Sequence, residues 1–88
     1  MKVFFFMGRN PKNVSGLSWK LWKIERRGRS VTTFWGPAVL KRRRVVPVGI
    51  LQSRTRTFGA VAVAEEFERE RIEEKRRKGY QGRTRMAT

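Results

Sequence analysis

Residues 60 to 78, "AVAVAEEFERERIEEKRRK", are the one good helical stretch of this chain. Ala60, Ala64, Phe67, Arg71 and Lys75 follow an i, i+3/i+4 line, with Val63 and Ile72 beside it, so an apolar stripe runs along the first three turns. Glu65–Arg69, Arg69–Glu73, Glu73–Arg77 and Glu74–Lys78 are opposite charges at i,i+4 spacing. The acids lead and the run "KRRK" closes the segment, which suits the helix dipole. Gly79 is a good C′ residue, and Tyr80 can fold back over the last turn. Such a helix covers a core, and its charges are structural. The rest of the fold must come from strands, and one helix can bury only one face of a sheet.

The segments before residue 60 read as those strands. "KVFFFM", residues 2 to 7, is aromatic-rich and extended. "GRNPKNVSGLS" is a loop by its Gly, Asn, Pro and Ser content, and is basic through Arg9 and Lys12. "WKLWKIERRGRSVTTFWG" reads as a hairpin turning at Arg27-Gly28, because Gly28 takes positive φ cheaply. That turn pairs Arg26 with Arg29, Ile24 with Val31, Trp22 with Thr33 and Lys20 with Trp35 on one face. The other face carries Leu21 against Phe34, Lys23 against Thr32 and Glu25 against Ser30, with Trp19 beyond. Both faces are partly apolar, so the aromatics on the uncovered side must pack under a loop or meet a partner. "QSRTRTF" alternates cleanly, with Gln52, Arg54 and Arg56 on one side and Ser53, Thr55 and Thr57 on the other. The expected fold is α+β: an antiparallel sheet of about four strands with one long C-terminal helix packed on it. The chain of 88 residues holds one domain over residues 1 to 80, and "QGRTRMAT" at 81 to 88 is a flexible basic tail.

Charge narrows the function. Lys and Arg number 22 against 7 acids, with no His and a net charge of +15. The acids are all Glu, and all but Glu25 lie between residues 65 and 74. The helical segment is neutral by itself, so the excess sits elsewhere, as expected of a polyanion binder. Without His, Asp or Cys, most general bases, nucleophiles and metal ligands are gone, so no enzyme, cofactor or metal site is expected. The start "MKVFFFMGR" has an apolar run too short for a signal-peptide core or a membrane span, which points to a soluble, cytoplasmic chain with no membrane partner.

"KLWKIERRGRSVTTFWG", then "QSRTRTF", then "EEF…RIEEKRRKGY" resemble, in order and spacing, the WGR domain. That family occurs in poly(ADP-ribose) polymerases and, in bacteria, in molybdate-regulator-like and small stand-alone proteins. The matching positions are Trp22, Ile24, Gly28, Val31, Trp35-Gly36, Gln52, Phe58, Ala64, Ile72, Lys75 and Gly79-Tyr80. The resemblance spans residues 2 to about 80 and implies an antiparallel sheet crossed by one long helix. It also implies DNA contact near a strand break, with the motif Trp taking part, a role that Trp35 can carry. The family's motif Arg is replaced by Pro37, which has neither charge nor donor. The stretch from Gly36 to Gln52 is longer than in the family and holds "KRRR", which supplies cations in place of the missing one.

The expected partner is therefore nucleic acid, DNA favoured over RNA. Lys41, Arg42, Arg43, Arg44, Arg54 and Arg56 would neutralise phosphates, and Trp35, with Trp19, would stack on an exposed base. Pro37 and Pro47 would bracket an arm lying off the sheet. If that arm is extended, Lys41 and Arg43 project one way and Arg42 and Arg44 the other. Two alternatives stand beside this: a protein partner or homodimer docked on the apolar sheet face, and structured RNA.

Overall fold

The structure is a computed structural model, and it describes residues 1–9 and 17–82. Six strands and one helix follow one another as β1 (Lys2–Arg9), β2 (Leu17–Arg27), β3 (Ser30–Lys41), β4 (Arg44–Pro47), β5 (Gln52–Thr57), α1 (Val61–Arg77) and β6 (Gln81–Gly82). The chain is thus α+β as expected, with more strands than expected. All pairings are antiparallel, in the order β4-β3-β2-β1-β6, with β5 also on β3.

The segment expected as a loop at residues 8 to 18 is shorter at both ends, because β1 runs on to Arg9 and β2 starts at Leu17. The rest of it, with Lys12, lies outside the described residues. The basic tail is likewise reduced. Gln81 and Gly82 pair with Phe5 and Phe4, and residues 83–88 lie outside the described residues.

The β2–β3 hairpin turns one residue later than expected. Gly28 and Arg29 are its central residues, and Gly28 has φ +58. A glycine leading a two-residue loop with positive φ is the pattern whose twist suits paired strands. The register moves by two: Arg27 faces Ser30, Ile24 faces Thr33, and Trp22 faces Trp35. Because the slip is two residues, no side chain changes face.

On one face Phe4, Trp22, Ile24, Val31 and Ala64 form the core, closed by Trp35, Phe58, Phe67, Ile72 and Tyr80. α1 lies over this face through Ala64, Phe67 and Ile72. Val63, expected on the stripe, is half exposed, and Ala60 is the exposed N-cap. The first helical turn holds no acid, so the dipole is matched only at the C-terminal end, by Lys75, Arg76 and Arg77. There Gly79, at φ +101, donates to the Arg76 carbonyl and Tyr80 N–H to the Lys75 carbonyl, both at 3.0 Å. That is the Schellman arrangement.

The expected i,i+4 ion pairs are not those that form. Glu65 and Glu68 instead reach Arg26 on β2, each at 3.5 Å, and Glu68 also reaches Lys2 at 3.8 Å. These acids fasten the helix to the sheet rather than to itself. Opposite the helix, Leu21, Ala38 and Val45 are buried together, with Val3, Phe5, Trp19 and Leu51 against them. No helix is long and apolar enough to cross a membrane among the described residues.

Candidate nucleic-acid interface

β3 organises the strand side of the candidate interface. One edge of it pairs with β2; the other is shared by β5, on Ser30–Trp35, and β4, on Ala38–Lys41. Between them residues 48–51 bulge outward, and Leu51 settles over Gly36. A Cβ on Gly36 would come within 2.9 Å of the Leu51 Cδ2. The bulge lets one returning chain segment cover the whole of β3, where a single regular strand would run out of register.

Alternation along β5 separates its two faces. Thr57 and Thr55 share hydroxyl hydrogen bonds with Ser30 and Thr32, at 3.0 and 2.8 Å, on the face away from the helix. Arg54 and Arg56 therefore point to the helix side, where they line a groove of about 340 Å³. Trp22, Trp35 and Phe67 supply its apolar surface, and Arg71, Glu74 and Lys75 close it from α1.

These cations differ in freedom. Arg71 donates to Glu74 at 2.9 Å and stacks 5.0 Å over the Phe67 ring. That bond holds the Glu74 carboxyl below its ordinary range. Arg56 lies over both Phe58 and Phe67, at 5.5 and 5.2 Å. Lys75 has its ammonium 5.5 Å from the Trp22 ring and 5.1 Å from Tyr80. Burial pushes its pKa below the usual lysine value, and the neighbouring Lys78 pushes the same way. Arg54 has no ion pair among the described residues.

The residues "KRRR" form the tip of a β-ribbon. The strand β3 runs through Pro37 to Lys41, so Pro37 sits inside a strand rather than at the base of a separate arm. It is tolerated because the edge beside it is the bulge, and its carbonyl accepts from Val48 N–H at 3.0 Å. The expected alternation of the four cations is corrected by the turn. Arg42 and Arg43 are its central residues, and Lys41 faces Arg44 across the ribbon. By the pleat, Lys41 and Arg44 lie on the helix side of the sheet, as do Trp35, Arg54 and Arg56.

The structure brings Trp35, Arg54 and Arg56 into one groove and puts Lys41, Arg42, Arg43 and Arg44 elsewhere. Arg54 is opposite Thr33 and Arg44 opposite Lys41. At about 3.3 Å per strand residue, the two clusters are ~26 Å apart. Trp19 is absent from that groove and its ring lies on the other face, 5.9 Å from Phe5, although both tryptophans line a second cavity of about 500 Å³ with Lys20, Gln52 and Tyr80. Arg71 and Lys75, expected on the core-covering face of the helix, also line the groove. The signal for them was present in sequence, since both continue the apolar line through Ala64 and Phe67 toward the sheet.

Compared with protein-family models, with curated proteins and with solved structures, the chain shows no match.

Proposed function

We propose that this chain is a non-catalytic nucleic-acid-binding module of the WGR type, taking DNA in preference to RNA and contacting mainly phosphates. One observation carries the reading. Among the described residues, Lys41, Arg42, Arg43, Arg44, Arg54 and Arg56 make no ion pair, while Glu25, Glu65, Glu68 and Glu74 are engaged by other cations. Positive charge left uncompensated on β5 beside the Trp35 indole, and at the end of the β3–β4 hairpin, suits a polyanion with stackable bases. Trp35 is half-buried in the groove wall and would take a base against its free face. Where the family's motif Arg is lost at Pro37, Lys20 faces that position from β2, and Lys20 and Lys75 line one cavity with Trp35 and Pro37.

The test is the salt dependence of binding. Neutralising about five phosphates of duplex DNA gives a slope of log K on log[salt] of roughly −4 to −5. Titration of a fluorescent duplex across salt concentrations measures it, and a flat response refutes the reading.

A second reading is favoured by the face opposite the helix. Val3, Phe5, Trp19 and Leu51 are only partly buried there, around Leu21. A protein partner or a second copy of the chain would dock on it. Light scattering with and without DNA separates the two: a dimer indifferent to DNA supports docking.

A further inference from the structure

We propose that the free edge of β5 takes an acidic, extended peptide as an added antiparallel strand. The proposal goes beyond the nucleic-acid reading and does not rest on it, although both use Arg54. β5 pairs with β3 on one side only, and among the described residues no strand lies on its other side. Every position of β5 is exposed. The other strand on that side of β3, β4, is four residues long and ends in Pro47, which blunts it as an edge.

One hydrogen bond fixes which backbone groups the edge offers. Phe58 N–H donates to the Arg29 carbonyl at 2.9 Å. These two residues continue the register that sets Thr57 opposite Ser30. In an antiparallel ladder, hydrogen-bonded pairs alternate with non-bonded ones. Arg56 opposite Val31, Arg54 opposite Thr33 and Gln52 opposite Trp35 are therefore bonded pairs, whose N–H and C=O groups turn toward β3. Those of Ser53, Thr55 and Thr57 turn outward, and a new strand would bond to them. Its residues opposite Arg54 and Arg56 would form non-bonded pairs, in which side chains stand closest.

Charge chooses the occupant. Arg54 and Arg56 share the helix side of the edge and make no ion pair among the described residues. Glu74 lines the same groove but is held by Arg71 at 2.9 Å. A second copy laid antiparallel along β5 would gather the arginines of both chains on one face, where like charges repel. An acidic strand would instead pair with them. On the other face, hydroxyl bonds already join Ser30 to Thr57 and Thr32 to Thr55, and Thr side chains on the newcomer would extend that row. The pattern that fits is Thr and Glu in strict alternation. Main-chain bonds would supply affinity, and the alternate side chains specificity.

The test measures binding of fluorescent peptides of about eight residues, a strand's length. One alternates Thr and Glu. A second holds the same residues as a Thr block followed by a Glu block. The others alternate but are N-methylated, one at every Thr, whose amides would bond to β5, and one at every Glu, whose amides would face away. The wild type is expected to bind the alternating and Glu-methylated peptides at least about tenfold more tightly than the block and Thr-methylated ones. Arg54→Glu changes an exposed residue without an ion pair and should melt as the wild type does. It should lose about tenfold on the alternating Thr–Glu peptide and gain binding to an alternating Thr–Lys peptide that the wild type refuses. Equal binding of all the acidic peptides, the mark of a general polyanion surface, overturns the proposal. So does an alternating peptide that does not bind, the outcome if a second copy holds the edge.

Discussion

Lys75 lies in contact with Trp22 and Tyr80 while lining the groove, so one side chain serves core and interface. Burial lowers its folded pKa below the ordinary 10.5. Between the two values the unfolded chain holds more protons than the folded one, so this group makes stability rise with pH there. Below the folded value the desolvation cost of the charged form is present in full. Lys75→Met removes that cost. The stability of the wild type minus that of the variant should therefore increase as pH is raised from 7 toward 10.5, read by chemical denaturation. Tyr80, whose pKa burial raises above 10.0, acts in the opposite sense but is common to both proteins. The sequence marked Lys75 as part of the helix stripe and matched it to the WGR pattern. What it touches was not legible, because a ring from β2 and a ring from the segment after α1 meet it only after folding.

The elements were legible in kind and less so in extent. Period-two segments became strands and the one helical period became α1, because those signals are local. The hairpin register slipped because Gly28 serves as well before Arg29 as after Arg27. The choice is made by the pairing of the strands, which sets Trp22 opposite Trp35, rather than by the turn itself. The start of α1 offers a direct test. Ala60 has cap geometry, φ −148 and ψ 154, but no side-chain oxygen to accept the first N–H groups. Ala60→Asp should stabilise the protein by about 1 kcal/mol and offset the missing acid of the first turn. Equilibrium urea denaturation reads this, and no gain would mean that those N–H groups are already satisfied. The redirected acids, Glu65 and Glu68, show why i,i+4 spacing overstates pairing within a helix. Both acids reach the sheet's Arg26, Glu68 from a largely buried position and Glu65 from an exposed one.

At the scale of the whole molecule, free positive charge is divided between a groove under the helix and a ribbon tip ~26 Å away. Sites so far apart act independently, so their losses should add. Arg54→Ala and Arg44→Ala should each reduce the salt slope by about 1, and the double variant by about 2. Arg54 is the cleaner choice over Arg56, which also covers Phe58 and Phe67 and would cost stability when removed. Composition and local periodicity by themselves determined the α+β class, the faces of the β2–β3 hairpin and of β5, and the separation of a neutral helix from a cationic remainder. Those properties depend on neighbours a few positions away. Only the tertiary structure decided that β4 and β5 share one edge of β3, that Trp19 and Trp35 lie on opposite faces, and that Arg54 shares a groove with Lys75. Each of these depends on pairings between distant segments, and a chain with two apolar sheet faces offers several pairings that satisfy the same pattern.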